Sequence, residues 1–350
     1  MVKKKSPIVY VSGRKFWYRL KTMLFLIILA GFVCFCLTLM KLDYNIIGYS
    51  SDYVSWFRVN RNISKFLRLD ESTHLVSPSE ISECFYDDVP VVYFVTTTPK
   101  HRIERNVIRS TWGKSARPRP IFITGLVEKE EDMHFLYEES KLYNDIIIED
   151  FSDSYTNLTL KTGFIFKNFL RLCPNSAYLM KTDDDVLVNT TLIENIVMEA
   201  MYNDPLGKLP IIGRLYPPYK AHRDPESKWY LPHWMYGKDY LPAYISGTGY
   251  LVPAIYIEKI LQSASQVPLL PLEDVYFLGL VANETAGVPL ENNPHFVDVK
   301  PFFSHFCSYR KLATLHHLDA KEISNIWMNL HNEVDQCDGL LYSMYNYLFG

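Results

Sequence analysis

The chain has 350 residues, of which 48% are apolar, and it is rich in Tyr (25) and Phe (20) and poor in Gly (15). That length accommodates one large domain or two ordinary ones with a sizeable core. The formal charge of −3 removes any general electrostatic case for nucleic-acid binding. The first feature along the chain is a charge asymmetry: Lys3, Lys4, Lys5, Arg14, Lys15, Arg19 and Lys21, with no acid among residues 1–22. Met23 to Met40 follows without a charge. At 1.5 Å per residue it makes roughly 27 Å of helix, about one hydrocarbon core. No small-residue cleavage site follows in Lys41-Leu-Asp-Tyr-Asn45, so a signal-anchor is expected rather than a cleaved signal peptide. The basic flank predicts a cytoplasmic tail over 1–22, a span over 23–40, and a luminal remainder.

Residues 41–88 show no persistent period and read as a luminal stem. Pattern begins at Val89, where the domain expected over 89–350 starts. Val91 to Val95 reads as a buried strand ending in Thr96-Thr-Thr-Pro99. Ile103 to Trp112 reads as a helix stopped at Gly113. Pro120 to Thr124 reads as a strand, Glu128 to Asn144 as an acidic amphipathic helix, and Ile146 to Ile148 as a third strand. Leu158 to Leu170 then reads as a helix and Ala177 to Lys181 as a fourth strand, running into Asp183-Asp184-Asp185. This alternation predicts an α/β fold with a mainly parallel sheet, helices on both faces, and ligands beyond the strands' carboxyl ends. After Ile212 the pattern turns irregular and aromatic.

Sequons stand at Asn62, Asn157, Asn189 and Asn283, matching a luminal location; two or three of them are expected to carry glycan. Cys84, Cys173, Cys307 and Cys337 form an even luminal set, open to up to two disulfides with three possible pairings. Their spacing fits no structural zinc pattern.

Three motifs carry chemistry. Asp183-Asp184-Asp185 is wedged between an apolar strand and Val186-Leu-Val188. Adjacent carboxylates repel and are costly to desolvate, so such a run is either a solvated turn or is compensated by a cation. Hard oxygen ligands suit Mg²⁺ or Mn²⁺ holding a diphosphate. Glu273-Asp274 lies among apolar residues, which suits a carboxyl of raised pKa acting as general base; a helix N-terminus explains the pair equally well. Ser246-Gly-Thr-Gly249-Tyr250 allows close backbone approach but also reads as a plain turn, and lacks the third glycine of a dinucleotide fingerprint.

Arg105-Asn-Val-Ile-Arg109-Ser-Thr-Trp112-Gly113, Lys181-Thr-Asp-Asp-Asp185-Val, Ser246-Gly-Thr-Gly249-Tyr and Glu273-Asp-Val275 together resemble, in order and spacing, the β-1,3-galactosyltransferase family, glycosyltransferase family 31. That family includes β-1,3-N-acetylglucosaminyltransferases. Leu315-His316-His317 to Ile326-Trp327 looks like its closing segment, so the resemblance covers about residues 89–330. It implies a GT-A-type fold, a UDP-sugar donor, a divalent metal (Mn²⁺ or Mg²⁺) and inversion at the anomeric carbon. By position it makes Asp185 and His316 metal ligands, with Asp183 and Asp184 completing the Asp-X-Asp motif on the nucleotide side. Asp274 becomes the base that takes the acceptor's proton, and Arg105, Arg109 and Trp112 help form the donor side; a helix docked on the sheet is the alternative reading of the last three. Ile245 and Gly279-Leu280-Val281 stand where the family commonly has cysteines, which suggests a missing disulfide.

The expectation is therefore a Golgi single-pass type II enzyme that moves a hexose, foremost galactose, onto a glycoprotein or glycolipid glycan in a β-1,3 linkage. N-acetylglucosamine and N-acetylgalactosamine are the alternative donor sugars. A non-catalytic luminal glycan-binding or partner protein on the same fold is the alternative of another class, and UDP release in the presence of an acceptor discriminates it. A metal-dependent hydrolase would instead release sugar to water without an acceptor.

Overall fold

The computed structural model describes residues 23, 25–32, 61–81, 84, 89–204, 207–300 and 306–332. The chain divides into two compact units, residues 1–53 and 54–350. In the first, residues 25–32 are helical. Most of the span expected over 23–40 lies outside the described residues, and among those described no helix is long and apolar enough to cross a membrane.

The second unit is built on an eight-stranded sheet of order β1-β4-β3-β2-β5-β8-β7-β9. Its strands are β1 (His74–Val76), β2 (Val91–Thr96), β3 (Ile121–Leu126), β4 (Ile146–Ser152), β5 (Tyr178–Asp183), β7 (Ile211–Tyr216), β8 (Tyr244–Pro253) and β9 (Leu290–Asn292). The run β4-β3-β2-β5 is parallel, as the alternating pattern predicts, whereas β8 enters antiparallel to both β5 and β7. The sheet is therefore mixed. A second sheet joins β10 (Phe296–Val297), β11 (Thr314–Leu315) and β6 (Leu187–Val188).

Alternate residues of each strand feed two cores. Val92 and Phe94 pack with Phe164 and Phe169 of α5 (Leu158–Leu172), Ile257 of α7 (Ala254–Ala264), and Phe277 of a π-helix over Val275–Thr285. On the other face Val91, Tyr93 and Val95 pack with Ile108 of α2 (Arg102–Ser110) and Leu136 of α4 (Glu130–Tyr143). Ile193 of α6 (Thr190–Tyr202) and Ile323 of α8 (Ala320–Asn332) join that core. Period-2 side-chain alternation thus gives a central sheet apolar on both faces, and amphipathic helices cover each.

Two sequence boundaries move, and one motif changes element. The helix expected to stop at Gly113 breaks earlier, at Thr111 (φ −112°, ψ −118°), and Gly113 lies inside the short α3 (Trp112–Ser115). The domain begins before Val89: α1 (Ser64–Leu67) buries Leu67 against α5, and β1 pairs antiparallel with β4. A Cβ at Gly163 would stand 2.8 Å from Leu67 Cδ2, so the glycine gives the Leu67 side chain its seat on α5. A disulfide from Cys84 to Cys173 ties the same segment to the end of α5, choosing one pairing among those the cysteine count allowed. Cys337 lies outside the described residues. Finally, the Gly-X-Gly segment, read either as a close backbone approach or as a plain turn, is no turn but the middle of β8, and neither glycine has positive φ.

Candidate active site

The parallel register pairs Thr96 with Asp183, and the antiparallel register pairs Thr182 with Gly249. The carboxyl ends of β2 and β5 therefore meet the amino-terminal half of β8 at one edge. Each aspartate of the triple run meets a different environment there. Asp183 accepts from Lys181 Nζ at 2.6 Å and from Thr96 Oγ1. Asp184, 8% exposed, accepts from Thr97 Oγ1 at 2.6 Å and faces His101 Nδ1 at 2.9 Å. That contact, more than any other influence, lifts the His101 pKa. Asp185 keeps one oxygen, Oδ1, buried with no hydrogen-bond partner. Its Oδ2 lies 3.3 Å from His316 Nε2.

His316 is fixed from behind, since its Nδ1–H donates to the Asp298 carbonyl at 2.9 Å and leaves Nε2 toward Asp185. His317 follows in a left-handed conformation (φ 66°), unusual for a side-chain-bearing residue. Asp185, His316 and His317 each offer a ligand atom, all within 4.8 Å of one another. Burial works to raise the Asp185 carboxyl, but the two imidazoles outweigh it and hold the group below its ordinary value. The orphaned buried Oδ1 and the converging imidazoles fit a divalent cation. One carboxylate with two ring nitrogens is a softer set than Mg²⁺ prefers, which favours Mn²⁺ of the two.

Asp274 caps the π-helix: Oδ1 accepts from Val275 N at 2.8 Å, and Oδ2 accepts from Gly247 N at 3.2 Å. The helix-terminus reading of the acidic pair is therefore met at Asp274, a cap that also reaches the β8 strand edge. Burial raises its carboxyl against the pull of those two N–H groups and of Lys181. Glu273 is buried, accepts from Tyr250 Oη at 2.6 Å, and is pushed up to about 7, chiefly by burial against the lowering effect of Lys181. Gly247 lets β8 approach, because a Cβ there would stand 2.9 Å from Glu273 Oε2.

The donor-side assignment of Arg105, Arg109 and Trp112 is corrected by burial; all three build the wall behind the site. The Arg105 side chain is wholly buried, paired with Glu139 at 2.7 Å and donating to Thr97 Oγ1, Thr98 O and Pro99 O. Arg109 is forked onto Asp145 and bonded to Glu139 and Asn106, with Tyr143 and Phe122 rings 3.9 and 4.9 Å from its guanidinium carbon. Trp112 is fully buried and donates to Val186 O at 3.1 Å, which steadies the backbone just after the triple Asp.

Among the sequons, Asn62 is exposed and Asn283 half-buried. Asn157 is buried, with the nitrogen a glycan would need donating to Ser152 O at 2.7 Å. Asn189 caps α6, and its nitrogen donates to Arg310 O. The segments that lack the family's cysteines lie together: a Cβ at Gly279 would stand 3.3 Å from Tyr244 Cβ, next to Ile245. Sequence reasoning gave no role to Thr96, Thr97, His101, Lys181, Tyr250 or His317. A lysine inside an otherwise apolar strand was the available signal for Lys181.

A galactosyltransferase family model matches residues 103–294, more than half of the chain. The chain is similar to "Beta-1,3-galactosyltransferase 1" of Mus musculus, 31% identical over 264 residues, covering 73% of this chain and 78% of the relative. It is also similar to "Lactosylceramide 1,3-N-acetyl-beta-D-glucosaminyltransferase A" of Xenopus laevis, 31% identical over 342 residues, with 88% and 86% covered. A solved glycosyltransferase involved in glycosylation of the PBCV-1 major capsid aligns over 67% of this chain and 97% of its own at 11% identity and a TM-score of 0.34. With a family model over residues 103–294 and relatives at this identity and coverage, the chain belongs to the galactosyltransferase family.

Proposed function

We propose that this glycosyltransferase transfers a hexose, foremost galactose, from a UDP-sugar to a hydroxyl of a glycan acceptor, with inversion and a β-1,3 linkage. The observation that carries the reading is the meeting, at one strand edge, of a cation-type cluster (Asp185, His316, His317) and a partly exposed, N–H-gripped carboxylate, Asp274. Inversion needs a single displacement on a GT-A-type scaffold, with no covalent sugar–enzyme intermediate. Asp274 takes the acceptor hydroxyl's proton as the new bond forms, and its burial-raised pKa suits it to that task. Asp185, His316 and His317 would hold Mn²⁺, a Lewis acid that neutralises the departing diphosphate. Thr96 and Thr97 orient Asp183 and Asp184 on the nucleotide side, and holding donor and acceptor side by side supplies the positional part of the rate gain.

N-acetylglucosamine is the second donor reading, favoured by the greater coverage of the Xenopus relative at the same identity. The purified full chain, assayed for UDP release with UDP-galactose and UDP-N-acetylglucosamine against glycolipid and glycoprotein glycans in Mn²⁺, separates the two. Turnover that needs no acceptor, or none with any pair, sinks the transferase reading for this site.

The Golgi type II topology belongs to the same proposal and rests on the charge asymmetry about residues 23–40. Asn62 and Asn283, whose side chains reach solvent, are its glycan carriers. In sealed microsomes protease should trim only a short tail and glycosidase should lower the mass; digestion of the bulk of the chain would overturn the topology.

A further inference from the structure

A single buried ammonium joins the two halves of the site. Lys181 lies on β5 with its side chain 3% exposed. Its Nζ donates to Asp183 Oδ1 at 2.6 Å and to Gly247 O at 2.6 Å, and stands 3.9 Å from Glu273 Oε2. Gly247 is therefore held at both of its backbone groups, its carbonyl oxygen accepting from Lys181 and its N–H donating to Asp274 Oδ2. One continuous line, Asp183–Lys181–Gly247–Asp274, runs from the nucleotide side to the base. Glu273, at the side of that line, is held in turn by Tyr250. Three carboxylates so close would repel one another and, unpaired, would be costly to bury. A fixed cation between them offsets that repulsion and holds them in place.

We propose that Lys181 is a positioning residue of the transfer reaction, setting the place of Asp274 through the Gly247 backbone and coupling it to the Asp183 side of the donor site. The inference rests on the reading of Asp274 as the base. A mere packing role for Lys181 would require neither the two-sided grip on Gly247 nor the placement of its charge against both acidic motifs. Burial by itself lowers the Lys181 pKa, and the facing Asp183 and Glu273 more than reverse that, so the ammonium stays charged. The titratable groups that face Asp274 are Lys181 on β5, Glu273 beside it, Tyr216 on β7 and Tyr244 on β8.

The test compares Lys181→Met, which keeps length and loses charge, with Lys181→Arg, which keeps charge. Both are made in the full chain, and kcat, KM and UDP binding in Mn²⁺ are measured from pH 5 to 9. An opposite charge within about 4–6 Å lowers a carboxyl by one unit or more, and Lys181 is among the groups that lower Asp274. Losing it should therefore move the acidic limb of the kcat/KM profile up by about one pH unit and lower kcat at neutral pH at least tenfold. Lys181→Arg should keep the limb near the wild-type position even if its kcat falls. A Lys181→Met profile with the wild-type limb, or equal losses in both variants with no movement of the limb, overturns the proposal.

If Lys181→Met does not fold, Gly247→Ala decides. The added Cβ would press on Glu273 Oε2 at 2.9 Å and Asp274 Cβ at 3.4 Å, which should cut kcat at least tenfold while UDP affinity stays. An unchanged kcat overturns the coupling. Asp274→Asn, assayed alongside, reports on the parent reading by itself. If it retains wild-type turnover the base assignment fails, whatever Lys181 does. If it is inactive while the Lys181 and Gly247 variants behave as wild type, only the coupling fails.

Discussion

Asp274→Asn tests the proposed chemistry at its centre. General-base catalysis is worth about 10²–10⁴-fold, so about 3–5 kcal/mol should be added to the barrier. The structure also sets a cost on the fold. The two Asp274 oxygens accept N–H groups of Val275 and Gly247 at 2.8 and 3.2 Å, and an amide offers one oxygen for both. One N–H then faces the new NH₂, a loss of about 1–3 kcal/mol, partly offset because a carboxylate disfavoured by burial is gone. The melting temperature should therefore fall by only a few degrees, while turnover falls by orders of magnitude. Turnover at saturating acceptor, UDP affinity in Mn²⁺ and thermal unfolding should be measured on one preparation. UDP affinity should hold, because Asp274 touches no group of the Asp185–His316–His317 cluster. If Asp274→Asn keeps more than about a tenth of wild-type turnover while folded, Asp274 is not the base.

Asp185→Ala should abolish transfer and weaken Mn²⁺-dependent UDP binding with the fold kept, as calorimetric titration would report; unchanged UDP affinity in Mn²⁺ would remove Asp185 from the ligand set. Glu273→Gln should cost less turnover than Asp274→Asn, since Glu273 is buried and bonded to Tyr250 rather than open to an acceptor. Because the folded chain lifts Glu273 from 4.5 to about 7, it binds a proton more tightly than the unfolded chain does. This group's contribution to stability is therefore full below about pH 4.5 and is lost as pH rises to about 7. Denaturation of wild type against Glu273→Gln should show the wild type's relative stability falling by about 1–3 kcal/mol across that window; a flat difference would refute the shift. Arg105→Ala should lower stability by about 3–5 kcal/mol, since it leaves Glu139 buried with one partner fewer, yet leave the folded fraction's UDP affinity unchanged; a selective loss of UDP binding would restore Arg105 to the donor side. Cys84→Ser should destabilise by up to about 4–5 kcal/mol, because the disulfide closes a loop of sequence separation 89; an unchanged denaturation midpoint under non-reducing conditions would argue against the bridge.

Much of the architecture was legible along the chain because its signals are local. Period-2 strands and 3.6-period helices between residues 91 and 183 report which faces must be buried, and they lie within a few residues of where they were expected. The triple Asp at a strand's end and the Glu273-Asp274 pair were visible as carboxylates in apolar surroundings. The four-motif resemblance carried the family, and the family comparison agrees.

Tertiary structure decided what depends on partners distant in sequence. Whether Arg105 meets a ligand or a buried Glu139 turns on the docking of α2 against α4, and no spacing in the sequence encodes that choice. The segment before Val89 looks patternless because α1 and β1 are too short to show a period, yet Leu67 and Cys84 fasten it to α5. The glycines of β8 mimic a turn, but they serve an approach to Glu273 and Asp274 that exists only once β8 pairs with β5. Lys181 shows the division most clearly. In sequence it is one charge in an apolar strand, and its meaning arises where residues 183, 247 and 273 converge on a single buried nitrogen. A charge can stay buried there only because all three partners reach it.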